Sequence, residues 1–267
     1  MVDFVNDKVN DLARKTSKSN EETIDKPVKA RKPRAKKIEV APKPEIFKCE
    51  FCKKEYTRES ALIAHMCEKK RRWLWRDEKH VRIGFMAYRK FYELCMYSKK
   101  EITYQDFMKS KQYNSFTKFG KYLVDINAVK PERFVEFVIK ANVKVDDWTA
   151  AWVYETWVRE LAKKEDPDEA FKRNILLMEQ WGRENGDEWF NFFRNISTTL
   201  ATQWIKSGRI SPWVLFTSVG GQLIDRMTDE QLEMVKDFIN PIYWKPKITA
   251  YKDDIIYYDM LLKNAGV

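Results

Sequence analysis

Phe47-Lys48-Cys49-Glu50-Phe51-Cys52, followed by Tyr56, Leu62 and His65, is the stretch on which the reading of this chain turns. Two cysteines separated by two residues present a pair of thiolates from one tight turn. An aromatic lies four positions after Cys52, an apolar residue six further on, and a histidine three beyond that. This spacing lets a hairpin present both thiolates, and a helix an imidazole, to one tetrahedral ion, for which zinc is the expected metal. Tyr56 and Leu62 would form most of a core too small to hold unaided. Structural zinc makes up the difference, because it contributes roughly 10–16 kcal/mol of apparent binding energy to folding.

The fourth ligand departs from the usual pattern. A second histidine three to five residues past His65 would complete the set, but positions 69–71 are Lys69, Lys70 and Arg71. Cys67 is the nearest donor and the expected ligand, since a nearby thiolate costs little chain entropy to recruit. Residues two apart on a helix point about 200° away from each other. If His65 and Cys67 both bind, the helix must therefore end or unwind near His65. His80 and Cys95, delivered from the following segment, are the alternatives. The plainer alternative is a reduced protein with unrelated buried cysteines.

Four cysteines, three of them clustered with a histidine, point to a metal in a reducing compartment rather than to disulfides. Charge appears at once after Met1, so no secretory signal is expected, and no run of apolar residues is long enough to span a membrane. The expectation is a soluble, intracellular protein. Its net charge of +10 is uneven: residues 1–76 hold 21 Lys and Arg against 12 Asp and Glu, while the remaining 191 hold 29 against 28. A localised basic arm is the footprint of a partner rich in phosphate.

The chain divides into three segments. Residues 1–44 read as a disordered basic tail of Lys, Pro, Ala, Ser and Glu, with a possible short helix over 2–14. Within it, residues 26–37 carry seven cations and no anion, among them Lys29, Arg31, Lys32, Arg34, Lys36 and Lys37. Residues 45–76 read as the metal module with its flank, Lys69-Lys70-Arg71-Arg72-Trp73-Leu74-Trp75-Arg76. Cations there can neutralise phosphates while an exposed indole stacks on a base. Trp73 and Trp75 can equally anchor the module onto the next domain, with the cations pointing outward.

From Asp77 onward the apolar period is helical, as in Val81, Phe85, Tyr88, Tyr92 and Cys95. Caps at Thr103, Ser211 and Thr228, prolines at 131 and 167, and stops at Gly182, Gly186, Gly208 and Gly266 divide it. They predict helices near 78–97, 103–126, 131–142, 146–164, 167–184, 187–207, 211–226, 228–239 and 251–264. The fold class expected is mostly α: residues 77–267 form an all-helical, Trp-rich domain of antiparallel hairpins, with β-structure only in the metal module. Eight tryptophans lie between Trp148 and Trp244. Aromatics at helical spacing fill a core, although the turns at 209–213 and 240–246 could expose an indole.

No phosphate loop, His-Glu-x-x-His or nucleophile elbow occurs. Asp146-Asp147 and Asp253-Asp254 are paired carboxylates at helix starts, where they serve the helix dipole more often than a metal. An enzyme is not expected, and a metal-dependent nuclease is the least favoured reading.

The ligand spacing from Phe47 to His65 resembles a C2H2 zinc finger, ending at Cys67 as a Cys-ended, C2HC-like variant. In such a finger the base-reading helix positions fall on Arg58, Ala61 and Ala64. Only Arg58 suits bidentate contact with guanine. The run at 26–37 resembles AT-hook and linker-histone tails but lacks the AT-hook glycine, so only its charge carries over. A basic tail, one finger and a long Trp-rich helical domain together are similar in layout to uncharacterised zinc-finger proteins of large tailed phages. That layout implies the cytoplasm of an infected bacterium and no particular activity; the Lys/Arg tail makes a eukaryotic nucleus the alternative. The expected function is a non-enzymatic accessory factor. It would bind nucleic acid, DNA favoured over RNA, through phosphate contacts, and engage one or more unidentified proteins through the helical domain. A protein–protein adaptor is the rival.

Overall fold

Phe47 and Tyr56 favour a pleated surface, and here they face each other across a minimal hairpin. A computed structural model describes residues 45–95 and 101–265. Strand β1 (Phe47–Lys48) runs antiparallel to β2 (Glu55–Tyr56), with Phe47 opposite Tyr56 and Lys48 opposite Glu55. The loop closes when the Cys49 N–H donates to the Lys54 carbonyl at 2.9 Å and the Lys53 N–H to the Cys49 carbonyl at 2.8 Å. Lys53 turns the chain back with a left-handed φ of 63°. These are the only strands among the described residues.

Helix α1 (Glu59–Ala64) packs beside the hairpin, and α2 (Glu68–Leu74) comes after three extended residues. A 3-10 turn at Trp75–Asp77 leads into α3 (Lys79–Cys95). Next come α4 (Tyr104–Lys109), α5 (Tyr113–Asp125), α6 (Pro131–Lys140), α7 (Ala151–Lys164) and α8 (Pro167–Asn185). After these run α9 (Phe192–Asn195), α10 (Thr198–Lys206), α11 (Pro212–Leu215) and α12 (Ser218–Asp225). The last are α13 (Asp229–Ile239), α14 (Pro241–Ala250) and α15 (Lys252–Asn264). The fold is mostly α, as expected, and Ile46–Val267 form one compact unit. No described helix is long and apolar enough to cross a membrane. The basic tail and its short helix lie outside the described residues, as does the stop read at Gly266.

Four expected helices are broken. That read over 146–164 has only a 3-10 turn at Val145–Asp147 before α7 starts at Ala151, because Ala150 is extended. The other three break at a hydroxyl residue. The helix read over 103–126 stops at Ser110, whose hydroxyl accepts the Gln112 N–H at 3.0 Å. That read over 187–207 restarts where Ser197 caps α10 through the Leu200 N–H at 3.3 Å. That read over 211–226 restarts where Thr217 caps α12 through the Gly220 N–H at 3.0 Å. Short polar side chains competing for backbone groups are the common cause of these three. Thr103 and Thr228 form full capping boxes, and Pro131 and Pro167 open α6 and α8 as read. Gly182 is not a stop: it lies inside α8, where an added Cβ would meet the Asp187 carbonyl at 2.7 Å.

The core is aromatic. Trp148, Trp213 and Trp244 are fully buried, so the turns at 209–213 and 240–246, which could have exposed an indole, do not, and these tryptophans fill the core as expected. Trp213 meets Trp244 edge-on at 4.9 Å, and its indole N–H donates to the Glu165 carbonyl at 3.0 Å. The Glu165 side chain is 1 % exposed, paired with Arg173 at 3.0 Å and Lys130 at 2.8 Å, and accepts the Ser211 hydroxyl at 3.0 Å. Burial pushes its carboxyl up, but Arg173 and Lys130 outweigh that and hold it below the usual range. Trp152, in contrast, is exposed.

One close contact fixes the first hairpin of the helical region. A Cβ on Gly120 would lie 2.1 Å from the His80 carbonyl and 2.7 Å from the Gly84 nitrogen. Helices α3 and α5 therefore touch backbone to backbone, with Phe116 and Phe119 filling the space on the inner side.

Candidate metal centre

The geometry of the centre is set by where α1 ends. His65 takes an extended ψ of 120°, its N–H donating to the Leu62 carbonyl at 3.1 Å, so the helix stops at Ala64. The extended segment swings Cys67 back toward His65 rather than away from it, which satisfies the geometric condition for both to bind. Cys49 and Cys67 place their sulfurs 3.9 Å apart, and Cys52 Sγ lies 3.1 Å from His65 Nε2. All four donor atoms fall within 4.8 Å of one another. Around a tetrahedral zinc with bonds of about 2.3 Å, sulfurs sit about 3.8 Å apart, so this set fits. Three soft thiolates and one imidazole are the donors zinc prefers. His80 and Cys95 are not in the cluster, and Cys95 is exposed at the end of α3.

Backbone groups tune the thiols. The Cys52 N–H, helped by that of Phe51, holds the Cys49 thiol below its ordinary value. The Lys54 N–H favours the Cys52 thiolate, but loss of water and the neighbouring sulfurs of Cys49 and Cys67 outweigh it and push Cys52 up. Thiols this close resist ionising together, a repulsion that a divalent cation relieves. The small core is as read: Tyr56 lies against the His65 ring at 5.0 Å, and Leu62 is half-buried.

The basic flank is helix α2, which the sequence pattern did not mark as helix. Cys67 caps it, accepting the Lys70 N–H at 3.4 Å, and Lys70 Nζ donates to the His65 carbonyl at 3.3 Å. Lys69 and Arg71 are exposed, and Arg71 lies over the Trp75 ring at 5.2 Å. Arg72 turns inward: its guanidinium donates to the Met108 carbonyl at 2.7 Å, pairs with Glu68 and covers the Tyr113 ring at 4.3 Å. Trp73 is half-buried between Phe51 and Tyr104, with Arg76 over its ring at 4.7 Å. Trp75 remains 45 % exposed. Arg58 stands exposed at the start of α1, whose outward residues include Ala61 and Ala64. Lys29, Arg31, Lys32, Arg34, Lys36 and Lys37 lie outside the described residues.

Arg72 as a tether was missed, and its one sequence signal was the i,i+4 pairing with Glu68. Among the described residues the Cys49–Cys67 set is the only convergent group of three or more His, Cys, Asp or Glu. Asp253 and Asp254 occupy the first turn of α15, and Asp146 and Asp147 a 3-10 turn. Compared with protein-family models, curated proteins and solved structures, the chain matches none. The geometry itself therefore defines the class: a Cys3His cluster on a two-stranded hairpin and short helix, positioned to bind a metal ion and compatible with a zinc finger.

Proposed function

We propose that the protein is a non-enzymatic, zinc-dependent nucleic-acid-binding accessory factor whose contacts are made mainly to phosphate. The observation that carries this reading is the mounting of α2. The metal ligand Cys67 caps the helix and Arg72 ties it to the helical region, while Lys69 and Arg71 face outward beside the exposed Trp75. A basic helix held at both its start and its inner face presents charge without the entropy cost of a free side-chain cluster. The phosphate-contacting set is then Lys69, Lys70, Arg71, Arg76 and the tail cations, with Arg58 as the one base reader. Arg72 is not in it. DNA is favoured over RNA, and the helical region engages a protein of the same process.

Salt dependence tests this reading. With about six phosphates neutralised, the log–log slope of affinity against salt is near −5 on duplex DNA, at about −0.9 per contact. Scrambling the DNA sequence changes little. Absence of binding to duplex, single-stranded DNA or RNA at low salt overturns the reading.

A second reading rests on Ile63 and Met66, which are 71 % and 55 % exposed on the metal module. Apolar side chains presented this way suit docking of a protein on the finger. In that case Ile63→Ser with Met66→Ser abolishes partner capture and leaves nucleic-acid affinity unchanged.

A further inference from the structure

Beside α2 lies a cavity of about 280 Å³, walled by α2, the start of α3 and the outer face of α5. Arg71, His80, Lys118 and Lys121 converge on it, the exposed Trp75 forms one side, and no carboxylate lines it. On α5, Asn114, Thr117, Lys118 and Lys121 recur at helical spacing, opposite the buried Phe116 and Phe119, so they share one polar face. The backbone contact of Gly120 with His80 and Gly84 fixes that face against the start of α3. The close approach that Gly120 permits sets how near the polar face of α5 stands to the start of α3, and so where these cations line the cavity.

The wall that α2 and α5 share behind these cations is buried. Among the described residues, the only buried side-chain polar atoms without a hydrogen-bond partner are Arg72 Nε and the Tyr113 hydroxyl, and both residues line this cavity. Tyr113 is 3 % exposed. Its neighbour Tyr104 donates its own proton to the Arg72 carbonyl at 2.5 Å. Orphaned buried donors are costly and rare.

We propose that this cavity binds one nucleotide unit, its phosphate held among Arg71, His80, Lys118 and Lys121 and its base laid against Trp75. Its volume of about 280 Å³ falls just below the usual range for ligand pockets, roughly 300–1,000 Å³, which suits a single unit and not a longer ligand enclosed whole. Lys121 also meets Asp125 at 3.3 Å, but that pair is solvent-exposed and weak enough to exchange for a phosphate. The unit has two possible sources, a single strand passing over α2 or a free mononucleotide. The strand as source rests on the nucleic-acid reading above.

Calorimetry on the full-length, zinc-loaded chain with oligo-dT and with AMP separates these. The variants are Lys118→Gln with Lys121→Gln, Trp75→Ala, and a charge-matched control, Lys140→Gln with Lys206→Gln. Binding through the cavity predicts that the lysine pair loses about tenfold in affinity and flattens the single-strand salt slope by about 1.4, at roughly −0.7 per contact. Trp75→Ala loses roughly five- to hundredfold with an unchanged slope, because stacking carries no counterion release. Oligo-dT binding that depends on these residues supports the strand. AMP binding that depends on them, with no oligo-dT binding, keeps the cavity and overturns the strand as its source, while the nucleic-acid reading itself stands or falls on the duplex and RNA titrations above. Strand binding that falls no further in the cavity variants than in the control overturns the cavity alone, and so does binding of neither ligand, the nucleic-acid reading then resting on the duplex and RNA titrations.

Discussion

The sulfur of Cys67 accepts the backbone N–H of Lys70 at 3.4 Å, so the residue that completes the metal cluster also caps the helix that carries the basic flank. Metal and flank are thereby coupled. Chelation should release the hairpin, α1 and the first turn of α2 together, since the zinc contribution of roughly 10–16 kcal/mol exceeds what so small a core supplies. Hydrogen exchange before and after chelation reads this directly. Amides of residues 46–70 should lose protection while those of α5 to α15 keep theirs. Uniform loss across the chain would contradict it.

Arg72 joins two carbonyls, one carboxylate and one ring through a planar fork that lysine cannot reproduce. Arg72→Ala strands the Met108 carbonyl and should cost about 1–3 kcal/mol. Arg72→Lys should recover less than half of that in urea denaturation. The salt slope for DNA should stay within about one contact's worth, 0.9, of the wild type. A larger flattening would make Arg72 a phosphate ligand after all.

Two glycines give opposite outcomes. Gly120→Ala places a Cβ 2.1 Å from the His80 carbonyl and should destabilise by about 1–3 kcal/mol or more. Gly221, inside α12 with nothing within 4 Å of an added Cβ, should gain about 0.5–1 kcal/mol as alanine. Thermal melts of the two variants check the close approach of α3 and α5. Equal shifts in one direction would refute it.

The legible part of the fold is the part that each sequence signal measures. The ligand positions were readable because metal chemistry restricts both residue type and spacing, and Cys67 was reached by its proximity along the chain. The end of α1 at Ala64 was deducible as a condition of that choice. The breaks at Ser110, Ser197 and Thr217 were hidden because the apolar period runs through them, and only the local hydroxyl bonds interrupt it. Helix α14 was hidden by Pro241 and Pro246, which read as a turn. Pro241 in fact opens the helix, with Asn240 accepting the Ile242 N–H at 3.0 Å, and Pro246 is carried within it. The inward turn of Arg72 and the convergence of Lys118 with Arg71 are tertiary, and no local spacing encodes them.

Glu165 sets the acid limit of the helical region. Its folded carboxyl is held below its unfolded value of about 4.3, so in that window the unfolded chain binds more protons. The stabilisation is therefore present above that value and is lost as pH falls through the lower folded one. Glu165→Gln should cost about 3–5 kcal/mol at neutral pH, because Arg173 and Lys130 are left without their partner. It should also flatten the fall in urea midpoint below about pH 5. An unchanged acid limb would remove Glu165 from this role.

The metal content of four forms of the chain tests the account most directly. Wild type, His80→Ala and Cys95→Ala should each carry a single zinc per chain by native mass spectrometry, and Cys67→Ala should lose it under the same conditions. Full zinc retention in Cys67→Ala, or its loss in Cys95→Ala, would contradict the Cys49–Cys52–His65–Cys67 centre and the mounting of α2 that depends on it.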